Sequence, residues 1–235
     1  MTLLHDAELS AASGHAALTY DRLVAVNPGY HAHLRRSARR LRLSRGGAGL
    51  RLLDLGCGTG ASTAALLAAA PHAEIVAVDA SAGMLERAAA KSWPAGVSFV
   101  HAPVERLAEA GVAGPFGGAF AAYLFRNVTD PDRTLALVRS LLAPGGRIGA
   151  HEYALGGRAV DRAVWTAVCK GIVPPAGRLA GDADLYRHLW RGVVEFDTAS
   201  AFGGRLRRAG FSDVRVLPMP GRQTGITHTF VGRSR

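Results

Sequence analysis

Cysteine is scarce: Cys57 and Cys169 are the only two in 235 residues. They form no CxxC and no Cys/His spacing, so neither a disulfide framework nor a metal site is expected. A reducing, cytoplasmic compartment is the corresponding expectation. No apolar run is long enough to span a bilayer. Met1 to Ser10 carries His5, Asp6 and Glu8 and lacks the charged and apolar regions of a signal peptide. Internal repeats and low-complexity linkers are also missing, which leaves a chain long enough for one α/β domain with a sizeable core. Acids are few, at 18 against 28 lysines and arginines, and the formal net charge is +10.

Much of that charge lies in Arg35, Arg36, Arg39, Arg40, Arg42 and Arg45. On a helix the first four share one face, while Leu34, Ala38 and Leu41 share another. Such a basic amphipathic helix is either a solvated face or a surface attracted to anionic membrane, where each charge adds about 1 kcal/mol. RNA binding ranks below both, because no stretch interleaves basic and aromatic residues. No nucleic-acid partner is expected.

The order of elements predicts a parallel sheet. Residues 1–46 read as a helical cap broken at Asn27-Pro28-Gly29. Strands are expected at Leu50–Leu55, Glu74–Asp79, Val97–His101, Gly118–Leu124 and Arg147–Tyr153, with helices between them. The first helix runs from Thr59 to Ala70, before Pro71. Ser81 caps the second, which extends to Lys91. Asp130-Pro131 is an N-cap with proline at the first helical position, and Pro144-Gly145-Gly146 ends that helix. Residues 156–196 break the rhythm and read as a helical lid interrupted at Pro174-Pro175. A helix over Ser200–Ala209 and two strands, Phe211–Leu217 and Thr227–Val231, follow.

The most informative stretch is Leu52-Leu53-Asp54-Leu55-Gly56-Cys57-Gly58-Thr59-Gly60. It is a buried strand running into a glycine-rich turn that opens a helix. Asp79 closes the next strand, where a carboxylate can accept two ribose hydroxyls. The glycines permit backbone angles that a Cβ forbids, and the helix start offers N–H groups to an anion. Asp54 before the turn would repel a pyrophosphate but suits an ammonium. The motif therefore points to S-adenosylmethionine, with S-adenosylhomocysteine as product. Cys57 is a small filler of the turn.

Phe125-Arg126-Asn127-Val128-Thr129-Asp130 and Leu142-Ala143-Pro144-Gly145-Gly146-Arg147 resemble the ubiquinone/menaquinone biosynthesis C-methyltransferases. Those have Leu-Arg-Asn-Val and a Lys-Pro-Gly-Gly-Arg turn at these points. Tyr20-Asp21, Gly29-x-His31, Glu152-Tyr153, Tyr186-Arg187-His188-Leu189, Ala209-Gly210-Phe211, Gly225-Ile226 and His228 extend the likeness almost end to end. The departures are Leu34 for a tryptophan, Pro103 for an adenine-binding Asn or Asp, Gly117 for an Asp, and a shortened segment before Gly29. The resemblance implies an α/β, Rossmann-like class I methyltransferase fold. Its mostly parallel seven-stranded sheet would end in an antiparallel strand pair, with helices on both faces and a helical lid.

The resemblance also implies methyl transfer to a ring carbon of a prenylated quinol or related lipophilic phenol. Carbon becomes nucleophilic once a phenolic proton is removed, so the enzyme must align the ring, move the proton and stabilise the phenolate. Arg126 is effectively always protonated and is assigned phenolate stabilisation, with Asn127 orienting water or the hydroxyl. His151, expected to face the same pocket edge as Glu152, is the alternative base. Tyr186 would line the substrate side. Tyr20 would cover the cofactor, which Asp54, Gly56, Gly58, Thr59, Gly60, Asp79, Ala80, Met84, Pro103, Val104 and Tyr123 would hold. Met84 would pack on the adenine.

Rival readings are an O- or N-methyltransferase of another lipid or secondary metabolite, and a non-catalytic S-adenosylmethionine-binding protein. The intact Arg126-Asn127 pair argues against the latter. The absence of an Asn/Asp-Pro-Pro-Tyr/Phe motif argues against exocyclic-amine methylation of a base. A homodimer and peripheral contact with the inner membrane face are left open.

Overall fold

The computed structural model describes residues 29–167 and 190–235. The expected contributions of Tyr20, Tyr186, Asn27-Pro28, Cys169 and Pro174-Pro175 lie outside those residues. Among the described residues, seven strands form one sheet: β1 (Arg51–Leu55), β2 (Glu74–Asp79), β3 (Val97–His101), β4 (Phe116–Ala122), β5 (Leu142–Tyr153), β6 (Ser212–Pro218) and β7 (Thr227–Arg233). Their order across the sheet is β3-β2-β1-β4-β5-β7-β6. β1 to β5 pair in parallel. β7 runs antiparallel to both β5 and β6. The chain steps outward from β1 to β3 and then returns to place β4 beside β1. That reversal opens a crevice at the carboxyl ends of β1 and β4, where ligands of open α/β sheets bind.

Among the described residues, six helices flank the sheet: α1 (Tyr30–Arg40), α2 (Ala61–Ala69), α3 (Ala82–Ala89), α4 (Pro131–Leu141), α5 (Ala159–Ala167) and α6 (Ala199–Arg208). Their starts follow local chemistry. Ser81 accepts the Met84 N–H at 3.4 Å, and Asp130 accepts the Arg133 N–H at 3.0 Å ahead of Pro131. Alternate residues of each strand feed two cores. Leu53, Leu55, Phe116, Phe125, Phe202 and Phe230 pack on one face. Leu34, Leu41, Leu52, Leu66, Ile75 and Phe120 pack on the other, under α1 and α2.

Some boundaries differ from expectation. The N-terminal helix stops at Arg40 rather than continuing to residue 46. Arg42 and Arg45 take left-handed φ values of 51° and 49°, and Gly46 and Gly47 also have positive φ. A glycine-rich stretch is a poor helix, and this one turns the chain back into β1. β4 begins at Phe116 and ends at Ala122, leaving Tyr123 beyond it at φ 58°. Among the described residues, no helix is long and apolar enough to cross a membrane, and no cluster of His, Cys, Asp and Glu could hold a metal ion.

Candidate active site

The glycine loop between β1 and α2 lies at the crevice. Gly56, Gly58 and Gly60 all have positive φ, at 66°, 55° and 91°. A Cβ on Gly60 would stand 2.7 Å from the Trp93 ring, so that position needs glycine on two counts. At Gly58 a Cβ would meet nothing within 4 Å, which marks open space beside the loop. Asp79 ties the loop down: its Oδ2 accepts the Gly58 N–H at 2.7 Å and its Oδ1 accepts the Ser81 N–H at 2.9 Å. Each oxygen keeps a second lone pair, which is what two ribose hydroxyls require. Burial raises the Asp79 pKa, opposed by those two backbone hydrogen bonds.

Asp54 is fully buried. Its Oδ2 accepts the Ser62 hydroxyl at 2.8 Å and the Thr63 hydroxyl at 2.7 Å, both from the first turn of α2. Its Oδ1 is buried without a hydrogen-bond partner. Burial raises its pKa to about 7, against the two hydroxyl bonds, with Asp79 adding to the rise. An orphaned carboxylate oxygen beside a loop with open space fits the ammonium end of S-adenosylmethionine. The Cys57 thiol is buried, and burial with the two nearby carboxylates raises its pKa strongly. It is a filler of the turn, as expected.

The remaining expected cofactor residues ring the same edge. Ala80 follows Asp79, and its carbonyl accepts His101 Nε2–H at 2.9 Å. Met84 is half-buried in the first turn of α3. Pro103 precedes buried Val104 in a short turn after β3, and the Ala102 N–H bonds the Asp79 carbonyl at 3.0 Å. Two residues that the sequence reading missed also brace the loop. Lys91 Nζ donates to the Thr59 carbonyl at 2.5 Å, and Trp93 Nε1 to the Ala88 carbonyl at 2.7 Å. A Lys and a Trp just after a helix give no pattern that would single them out.

On the other side of the crevice, Tyr123 follows β4. Its N–H donates to the His151 carbonyl at 2.8 Å. Its ring stacks on Tyr30 at 5.8 Å and lies 4.7 Å from the Tyr153 ring. The Arg126 guanidinium lies over this aromatic shelf, 5.2 Å from the Tyr123 centroid and 5.7 Å from that of Tyr153. Its Nη1 donates to Glu152 Oε1 at 2.5 Å. The side chains of Arg126 and Glu152 are 13% and 1% exposed, so this is a largely desolvated ion pair. A cavity of about 180 Å³ adjoins Arg126, bounded also by Phe125, Pro131, Phe196, Asp197 and Arg205.

One expectation needs correction. His151 and Glu152 do not face one pocket edge, because successive strand residues point to opposite faces. His151 is fully buried under α1. Its Nδ1 meets Ser37 Oγ at 2.8 Å and its Nε2 meets the Tyr123 hydroxyl at 3.0 Å. Burial, then His33, Arg40 and Arg126, lower its pKa to about 3. Asn127 donates its side-chain amide to the Tyr123 carbonyl at 2.9 Å, a bond that braces the strand-end loop and does not engage the side-chain oxygen. Glu152 is the charged partner that the sequence reading left without a role. The signal was present: it is the one acid in β5, next to the strand's last residue.

Comparison with known proteins agrees with this geometry. The model of the ubiE/COQ5 methyltransferase family matches residues 4–231. A ubiquinone/menaquinone biosynthesis C-methyltransferase from Syntrophotalea carbinolica is 32% identical, over 76% of this chain and 75% of its own length. A demethylmenaquinone methyltransferase from Thermus thermophilus is 31% identical, over 69% and 74%. Among solved structures, the plantazolicin methyltransferase BamL with S-adenosylhomocysteine superposes with a TM-score of 0.69 at 12% identity, covering 94% of this chain and 91% of that one. A methyltransferase from Thermotoga maritima gives 0.62 at 18% identity, covering 94% and 98%, and shares the fold. The chain belongs to the ubiE/COQ5 methyltransferase family and is an S-adenosylmethionine-dependent methyltransferase.

Proposed function

We propose that this enzyme methylates a ring carbon of a prenylated quinol of the demethylmenaquinol type, or of a closely related lipophilic phenol. The observation that carries the reading is Arg126, a partly buried cation held over two aromatic rings at the edge of the cofactor crevice. The named functions of the relatives in Syntrophotalea and Thermus support the same substrate class. S-adenosylmethionine supplies the methyl group. Asp79 would hold its ribose, Asp54 its ammonium, and the Gly56–Gly60 loop its amino-acid end. Tyr123, Tyr153 and the residues about Arg126 would receive the acceptor ring.

The residues divide the work by charge. Arg126 remains protonated throughout and stabilises the phenolate that makes the ring carbon nucleophilic. Glu152 fixes the guanidinium from one side, and the Tyr123–Tyr153 shelf fixes it from another. Asn127 keeps the loop that presents Arg126 in place through Tyr123. His151 is neutral at physiological pH and engaged at both nitrogens, so it serves the shelf rather than the proton.

The test is direct. The purified enzyme with S-adenosylmethionine and a short-tailed demethylmenaquinol should yield a product heavier by one methyl group on the ring, by mass spectrometry. Transfer to a hydroxyl or amine acceptor, with none to the quinol ring, would overturn the reading in favour of an O- or N-methyltransferase.

A further inference from the structure

We propose that Glu152 takes the hydroxyl proton of the methyl acceptor at its Oε2 atom, with Arg126 as the residue that holds it for the task. This rests on the phenolic-acceptor reading above and names its base. The two carboxylate oxygens of Glu152 are not equivalent. Oε1 accepts from Arg126 Nη1 at 2.5 Å and from the Tyr153 N–H at 3.1 Å. Oε2 is buried and has no hydrogen-bond partner. A buried carboxylate oxygen without a donor is costly, and such an atom calls for a ligand or a role.

A second orphan stands beside it. Glu152 and His228 are directly paired across β5 and β7, so their side chains share one sheet face. His228 Nδ1 is also buried without a partner. Burial lowers the His228 pKa and keeps the ring neutral, against the Ala154 backbone hydrogen bond and the charge of Asp161, with Arg40 adding to the lowering. The bond to the Ala154 backbone uses the ring N–H, so Nδ1 carries a lone pair. Two acceptors therefore lie on neighbouring residues and no donor serves either. A hydroxyl is the group that completes them.

Neither Arg126 nor His151 fits the task. Arg126 does not give up its proton at any working pH. His151 points to the opposite face and is spent on Ser37 and Tyr123. Glu152 sits next to Arg126, so one cation serves both states. While the carboxylate is charged, Arg126 pairs with it. Once Oε2 is protonated, the same guanidinium is released to the phenolate that has formed.

The step balances. The acceptor O–H bond breaks and its proton passes to Glu152 Oε2. The ring carbon forms its bond to the methyl while the sulfur–methyl bond breaks, the electron pair staying on sulfur. The hydrogen on that ring carbon leaves as a proton to water. Glu152 then returns its proton to the ring oxygen, and the quinol is restored with one added methyl.

The closing experiment uses the whole chain in two measurements. Glu152→Gln keeps the shape and an oxygen for Arg126 but cannot take a proton. Its kcat on short-tailed demethylmenaquinol should fall at least about 100-fold with KM within about threefold, and Glu152→Asp should recover part of the loss. Independently of cofactor and turnover, infrared difference spectra with and without 1-naphthol should show a carboxyl band that shifts in the wild type. That band should be missing in Glu152→Gln. A Glu152→Gln enzyme with wild-type kcat, or the same band shift in both proteins, would overturn the proposal. If Glu152→Gln fails to fold, a wild-type spectrum without a naphthol-sensitive carboxyl band overturns it as well. If the wild type methylates no quinol yet the Glu152 band responds to naphthol, the substrate reading fails and the Glu152 assignment stands.

Discussion

His151 and Tyr123 meet at 3.0 Å, imidazole Nε2 to phenol oxygen, and this contact ends a buried relay that begins at Arg40. Arg40 Nη1 donates to Thr229 Oγ1 at 2.8 Å. Arginine has no acceptor, so Thr229 must accept there, and its hydroxyl also shares a hydrogen bond with Ser37 Oγ at 2.7 Å. Ser37 Oγ in turn meets His151 Nδ1 at 2.8 Å, which joins the imidazole to the same network. Burial holds the imidazole neutral, so one of its nitrogens donates and the other accepts. Its effect is to fix the Tyr123 ring, which carries Arg126.

That burial makes stability depend on pH with a defined sign. Unfolded, His151 takes a proton near 6.5; folded, its pKa is lowered to about 3. Below pH 6.5 the unfolded chain binds the extra proton. The contribution is therefore complete above 6.5 and is lost as pH falls toward 3, by about tenfold in the folding equilibrium per pH unit. Urea unfolding at pH 7 and pH 5 should show a larger loss for the wild type than for His151→Gln. Equal losses would place the imidazole in contact with water.

Asp54 has the opposite sign, and the cofactor should reverse it. Its folded pKa is raised to about 7, so its contribution is greatest below pH 3.8 and is lost as pH rises through 7. An ammonium docked at Oδ1 favours the carboxylate. Binding of S-adenosylmethionine at pH 6 should then release close to one proton, and at pH 8.5 almost none. Calorimetry in buffers of different ionisation heat reads this. Asp54→Asn should abolish the release, and a release unchanged in that variant would exclude Asp54 from the site.

Asp79 ties the glycine loop to the turn after β2, and in the proposed site it would hold the ribose as well. Removing its carboxylate loses acceptors for the Gly58 and Ser81 N–H groups as well as for the ribose. Charge-assisted bonds of this kind contribute roughly 1.5–3 kcal/mol each. Asp79→Ala should weaken S-adenosylmethionine binding at least about tenfold by calorimetry, with a lowered Tm. Unchanged affinity would put the nucleoside elsewhere.

Arg126 should separate chemistry from cofactor binding. It touches Glu152 and the aromatic shelf, whereas the expected cofactor contacts lie on the glycine loop and β2. Arg126→Ala should lower turnover by about two orders of magnitude or more, as loss of a preorganised charge-stabilising donor does. S-adenosylmethionine affinity should stay within about threefold. Normal turnover would make the Arg126–Glu152 pair a structural tie.

The sheet was legible because its signals are local. Leu52–Leu55, apolar but for Asp54, and Ile75–Val78 are runs of strand length closed by glycine or Asp79, and both strands are present. The caps Ser81 and Asp130 are equally local and both accept the expected N–H groups. What the sequence hid is long-range. Ser37 and His151 are 114 positions apart, and nothing in either neighbourhood announces the other. Strand alternation alone would have separated His151 from Glu152, but not shown which face carries Arg126. Tyr123 was legible as a strand-end residue, whereas its left-handed backbone was not, since only Gly and Asn usually advertise one.

Arg40 also changes how the basic helix should be tested. Its guanidinium donates to the carbonyls of Leu217 and Pro218 at 2.8 and 2.9 Å, besides Thr229, so it ties α1 to β6 and β7. The expected face of four free arginines is therefore three: Arg35, Arg36 and Arg39 are exposed. A lipophilic acceptor lies in a bilayer, and three exposed cations would add about 1 kcal/mol each toward an anionic surface. Changing Arg35, Arg36 and Arg39 to glutamine should reduce cosedimentation with anionic vesicles and leave Tm and S-adenosylmethionine binding unchanged. Arg40→Gln should do the reverse, lowering Tm with little effect on vesicle binding. Wild-type binding should also weaken with added salt. Equal sedimentation with neutral and anionic vesicles, or none with either, would make the three arginines an ordinary solvated face.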